Sequence, residues 1–182
     1  MTQDQPRRET DLQTGHQPWR ALLGNTSQLH DWRSGRRLDR AEVLAQSGAQ
    51  AAWLGQQGFQ RGDPVVIASA DPLQVIVDLF ACWQAGLVAV LINPAIVAAE
   101  RSRVTAATGA VLWLQTTPGA GPGDVAPDAA SGQALGADEP ALILMTSGTT
   151  GTPKGVTLSL GALSARVASN RARIGDATLR RV

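Results

Sequence analysis

The sequence predicts an α/β protein built on a mostly parallel sheet flanked by helices. Three observations carry this. Short, continuous apolar runs recur at 64–69, 87–92, 110–115 and 141–145, and strands buried on both faces read that way. Segments of helical length separate the first three runs, and such alternation gives βαβ units and a parallel sheet. The chain has 182 residues, 43% hydrophobic and 17% charged. That suffices for about one domain with a real core and is unlike a disordered chain.

Taken in order, residues 1–17 read as a loose polar tail with no signal-peptide pattern. A short helix is expected at PWRALLG. LHDWRSGRRLD, residues 29–39, reads as a small hairpin with Ser34 and Gly35 at its turn. Asp39 can cap a helix, with Glu42 three residues on as a partial capping box. That helix, 40–57, carries Val43, Leu44, Ala51 and Leu54 on an apolar stripe, and Gly58 ends it. PVVIAS is a buried strand. A helix follows from Pro72, well placed in a first turn, to Ala85. LVAVLI is a second buried strand, closed by Asn93-Pro94. AIVAAERSRVTAATG, 95–109, is a helix ending at Gly109, and AVLWLQ is a third strand.

Residues 116–139 are dense in Gly, Pro and Ala and read as a flexible connector, either an internal linker or an eroded strand. Then come the strand ALILM, the loop TSGTTGTPKG, the strand VTLSL and a helix over LGALSARVASNRARIG. ATLRRV opens a further strand. The expected organisation is a tail at 1–17, an α/β N-terminal subdomain at 18–115, the connector at 116–139, and a truncated phosphate-loop segment with its following helix at 140–182.

Composition excludes several classes. A formal net charge of +1 with scattered Arg argues against a dedicated nucleic-acid binder. The single Cys, Cys82, permits no intrachain disulfide and suggests a reducing compartment. Lying in an apolar run, it reads as a small packed hydrophobe. His16 and His30 make no metal-ligand pattern with it. VIVDLFACWQAGLVAVLI, 75–92, imitates a membrane span of about 20 residues. Asp78, Gln84 and the helix end at Ala85-Gly86 argue instead for a buried helix followed by a buried strand. No membrane span and a cytoplasmic location are expected.

The loop at 146–155 carries the functional question. Of sixteen basic residues, fifteen are Arg and one is Lys, and that one, Lys154, sits in this loop. Ser, Thr and Gly offer hydroxyls and closely spaced backbone N–H groups, which form anion-binding concavities. A Lys adds a mobile point charge with three donors, suited to polyphosphate oxygens. The Walker A pattern fails: starting at Gly148, its second Gly falls on Pro153 and its Ser/Thr on Gly155. Val156 to Leu158 look like strand rather than helix, so the loop joins two strands. An ordinary exposed turn is the plainer reading of such a cluster. Anchorage at the end of an apolar strand, where open α/β sheets bind ligands, and the sole Lys favour phosphate binding.

ILMTSGTTGTPK, residues 143–154, is similar to the signature of the adenylate-forming superfamily, which includes acyl-CoA synthetases, adenylation domains of nonribosomal peptide synthetases, and luciferases. The stretch from Leu38 to Leu114 resembles that family's N-terminal region in element order and in its R-G-D, A-G and N-P punctuation. The resemblance covers roughly residues 20–182. It implies an incomplete N-terminal part of the adenylate-forming ligase fold. It also implies a reaction joining a carboxylate to ATP with Mg²⁺, followed by transfer to the thiol of CoA or a carrier protein. By resemblance, Thr146, Ser147, Gly148, Thr149, Thr150, Gly151 and Thr152 wrap the β- and γ-phosphates, and Lys154 neutralises the departing pyrophosphate. No metal-binding side chains are assigned.

Two departures stand out. Many relatives carry a His five residues after the Gly matching Gly155, and here that position is Leu160. The family's aromatic-Gly-x-Thr-Glu segment, ribose-binding Asp and late catalytic Lys fall past residue 182. Alone, then, the chain is expected to make no adenylate. The alternative is a catalytically incompetent homologue that binds nucleotide or docks onto a second chain supplying the missing half. A poorly folded remnant without function is the third reading.

Overall fold

The structure, a computed structural model, describes residues 18–24, 28–115, 133–146 and 154–174. The N-terminal tail, connector residues 116–132 and the strand expected from 177 lie outside them. The short first helix is a 3-10 helix, Pro18–Leu22. The hairpin follows, with β1 at Gln28–His30 and β2 at Arg37–Asp39. Its turn is fixed by Asp31, whose carboxylate accepts from the Arg33 N–H and the Ser34 hydroxyl.

Helix α1 spans Arg40–Gln56. Its start is the expected capping box. The Glu42 N–H donates to Asp39 Oδ1 at 2.9 Å, and the Asp39 N–H donates to Glu42 Oε2 at 2.7 Å, so two orphan amides are satisfied reciprocally. Helix α2, Pro72–Gln84, starts on Asp71, whose side chain accepts from the Leu73 and Gln74 N–H groups. Arg36 of the β1–β2 hairpin pairs with the same carboxylate.

The main sheet has five strands. They are β3 at Pro64–Ile67, β4 at Val88–Leu91, β5 at Leu112–Leu114, β6 at Pro140–Thr146 and β7 at Lys154–Ser159. Their order is β5-β3-β4-β6-β7. The pairs among the first four are parallel, and β7 runs antiparallel to β6. Helix α3 spans Ala98–Thr108 and helix α4 Leu160–Ile174. One sheet face packs Val65, Ile67, Ala89 and Leu142 against Leu54 of α1 and Ala81 and Cys82 of α2. The other packs Val66 and Val90 against Val104 of α3. Covered on both faces, the central strands must be apolar throughout, and each fully buried Val or Ile contributes about 1.5–3 kcal/mol. Among the described residues no helix is long and apolar enough to cross a membrane. The apolar run at 75–92 divides into α2 and β4.

Three differences from the sequence reading have physical causes. Helix α3 begins three residues later than expected. Asn93 Oδ1 accepts the Ala95 N–H at 2.9 Å, and the Ile96 N–H bonds Asn93 O at 3.2 Å, so the Asn-Pro turn consumes 93–97. Strand β7 ends at Ser159, whose hydroxyl accepts the Ala162 N–H at 3.2 Å, and Leu160 already belongs to α4. Residues 133–139, compositionally part of the connector, are docked: Leu135 is buried, and its N–H donates to Trp83 O at 3.0 Å.

Arg61 holds that docked segment. Its guanidinium donates to Glu139 Oε1 at 2.8 Å, to the second Glu139 oxygen, and to the carbonyls of Gln133 and Ala134. Gly86, at φ 77°, makes room beside it, since a Cβ there would lie 2.8 Å from Gln133 O. β6 therefore enters the sheet from a fixed point at its amino end. Trp83 fixes it again, donating its indole N–H to Ala141 O at 2.8 Å.

Candidate functional site

The carboxyl ends of β3, β4, β5 and β6 share one edge of the sheet, the edge at which parallel α/β sheets bind ligands. The side chains emerging from β3 and β4 there are used locally. Ser69 Oγ accepts the Asp71 N–H at 3.1 Å, and Asn93 holds its own turn. β6 differs because it continues into a hairpin. Its register with β7 pairs Leu142 with Leu158, Leu144 with Val156, Met145 with Gly155 and Thr146 with Lys154. β4 pairs with β6 only as far as Leu144. Met145 and Thr146 thus extend past the last parallel pair, with Met145 still packed on the cluster of Val66, Ala68 and Val90.

Eight positions were expected on phosphate. The structure places two of them, Thr146 in its backbone and Lys154, directly opposite each other at the hairpin's last described pair. Ser147, Gly148, Thr149, Thr150, Gly151 and Thr152 lie outside the described residues. The expectation that the loop joins two strands rather than a strand and a helix holds, since both flanking segments are strands of one sheet. Lys154 is exposed at the base of the loop.

Gly155 makes the hairpin's close approach possible. A Cβ at this position would stand 2.8 Å from Ile143 Cγ2 and 3.5 Å from Met145 Sδ. Ile143 is β-branched and stiff at χ1, so it cannot swing aside cheaply. Neighbouring Leu144 and Val156, a cross-strand pair, stay partly exposed at 39% and 49%.

Leu160, the position at which the family resemblance led to an expected His, is fully buried in the cluster formed by Trp19, Val43, Leu73, Phe80 and Ala141. It is a core residue here, and an imidazole at this point would have to give up its hydration. Cys82 is fully buried. Burial first, and then the nearby Asp78 carboxylate, push its thiol pKa far up, which removes it as a nucleophile. Among the described residues no group of three His, Cys, Asp or Glu side chains could hold a metal.

Sequence reasoning missed Arg61 as an anchor and Gly155 as a packing requirement. The signal for Arg61 was the R-G-D turn just ahead of β3. Its partner Glu139 is 78 residues away, and a single sequence gives no pairing over that distance.

A mostly parallel sheet with an antiparallel hairpin at its carboxyl edge defines the class, an α/β protein. The chain belongs to the AMP-binding enzyme family, whose sequence profile matches residues 17–180. It is 31% identical over 134 residues to the nonribosomal peptide synthetase NPS2 of Ceriporiopsis subvermispora, covering 64% of this chain and 5% of that protein. It is 30% identical over 146 residues to a feruloyl-CoA synthase of an Amycolatopsis species, covering 71% of this chain and 30% of the relative. Among solved structures it resembles the N-terminal subdomain of Klebsiella oxytoca NpsA, with a TM-score of 0.61 and 27% identity over 71% of this chain and 37% of that one. The chain therefore spans well under half the length of these relatives.

Proposed function

We propose that the β6–β7 hairpin binds the β- and γ-phosphates of ATP. The chain then serves as the N-terminal part of an AMP-forming carboxylate ligase, an acyl-CoA synthetase or an adenylation domain. The observation that carries this reading is the pairing of Thr146 with Lys154 at the carboxyl edge of a parallel sheet, with the Ser/Thr/Gly-rich residues 147–153 between them.

The chemistry follows from the residue types. Backbone N–H groups and hydroxyls of Thr146, Ser147, Gly148, Thr149, Thr150, Gly151 and Thr152 wrap phosphate oxygens. Lys154, on a flexible stem rooted in a strand, neutralises charge as pyrophosphate departs from the acyl-adenylate. A charge-assisted bond of this kind contributes about 1.5–3 kcal/mol. Mg²⁺ enters with the nucleotide, shielding its phosphates. The carboxylate and the acceptor thiol, from CoA or a carrier protein, complete the reaction in the longer proteins this chain resembles. A cytoplasmic location is part of this reading, because the substrates are ATP and a reduced thiol.

The test is thermal melting with and without Mg-ATP. Ligand that binds only the folded state raises the melting point. The native chain is expected to be stabilised, and Lys154→Ala to lose most of that gain while melting normally without nucleotide. Equal stabilisation of both chains would refute the assignment of Lys154. A second reading is a module that binds nucleotide or a partner chain without turnover. These 182 residues alone are expected to show no carboxylate-dependent pyrophosphate exchange under either reading. Exchange by a longer protein that contains them, lost in Lys154→Ala, supports the first, and no exchange by that longer protein supports the second.

A further inference from the structure

Helix α3 and edge strand β5 form an open groove of about 460 Å³, lined by Arg101, Ser102, Thr105, Ala106 and Trp113. We propose that it is a binding site for a planar aromatic anion, a ring bearing a phosphate or carboxylate. None of its lining residues belongs to the phosphate hairpin.

The groove is pre-built. Trp113 is half-buried, and its indole N–H donates to Thr105 Oγ1 at 3.1 Å, which fixes the ring. The Arg101 guanidinium sits over that ring, 5.0 Å from its centroid. Of the ion pairs among the described residues, one uses Arg36 and the other Arg61. Arg101 joins neither, although Glu100 is its chain neighbour. Its fork of N–H donors, stacked on the indole, faces no carboxylate among the described residues. A guanidinium so placed matches the paired oxygens of phosphate or carboxylate. The groove, with the Ala106 methyl, accepts a flat ring by stacking. The Thr105 hydroxyl, which accepts from the indole, keeps its own O–H for the anion, while the Ser102 hydroxyl is turned to Ala98 O. The volume falls within the range of small-molecule sites, about 300–1,000 Å³. Because the stack is already assembled, little side-chain freedom is lost on binding.

The experiment follows the indole N–H signals of the ¹⁵N-labelled chain during titration with phenyl phosphate, benzoate and inorganic phosphate. Trp113→Phe assigns the signal among the five Trp residues. The expected result is a saturable shift of the Trp113 signal with phenyl phosphate or benzoate and a much weaker response to inorganic phosphate. The tighter of the two aryl ligands tells which oxyanion the groove prefers. Arg101→Gln should weaken that binding roughly tenfold while the other indole signals hold their positions, showing an intact fold. Lys154→Ala should bind these ligands as the native chain does. An unmoved Trp113 signal at about 10 mM of each ligand would overturn the proposal. So would native affinity in Arg101→Gln, or inorganic phosphate binding as tightly as phenyl phosphate.

Discussion

Gly155 and Cys82 show how single positions support the site from opposite directions. Gly155 is required by space: the missing Cβ would meet Ile143 at 2.8 Å. Gly155→Ala is expected to destabilise the chain by about 1–3 kcal/mol, the usual cost of overpacking, measured by denaturant unfolding. Trimming the neighbour with Ile143→Ala should make the pair less than additive. The sequence offered no reason to separate this glycine from Gly148 or Gly151, since the clash appears only once the cross-strand register is known. Cys82 was legible: an apolar run pointed to a packed thiol, and it is fully buried. It should resist a thiol reagent in the native state and react at once on unfolding.

At the scale of elements, the β6–β7 hairpin is held at its far end twice, by Arg61 ahead of β6 and by Trp83 at Ala141. Glu139 has its pKa lowered from 4.5, chiefly by the Arg61 hydrogen bond and then by the Gly136 N–H. A depressed carboxylate stabilises the fold above its unfolded-state value. That contribution fades as pH falls below about 4.5 and through the lower folded-state value. Melting from pH 7 to pH 3 should therefore show a steeper loss in the native chain than in Arg61→Gln. The two side chains are 38% and 37% exposed, enough for solvent to screen the pair, so the difference will be modest. Trp83→Phe removes the indole donor to Ala141 O and is expected to cost about 0.5–1.5 kcal/mol, the net contribution of one hydrogen bond. Element identity was largely readable because each signal is local: the Asp39/Glu42 box, Pro72 after Asp71, and Gly109 after α3. The start of α3 was misplaced because the Asn93 side chain diverts the chain into a turn that periodicity does not reveal.

For the whole molecule, the alternation of apolar runs with helices was enough to predict a mostly parallel sheet, and the sheet has that form. Strand order was not legible. Nothing in the composition says that β5 crosses to the outer side of β3, or that β6 returns beside β4 after the connector. Those choices depend on long-range packing, and the docking of 133–139 by Arg61 is part of it. The order matters because it sets the hairpin at the carboxyl edge, next to the ends of β3 and β4. The central claim is that this hairpin grips ATP by its terminal phosphates. Phosphorus NMR of Mg-ATP tests it most directly. On addition of the chain, the β- and γ-phosphate resonances should shift and broaden, and Lys154→Ala should largely abolish the effect. Unperturbed resonances, or an equal perturbation by both chains, would contradict the account.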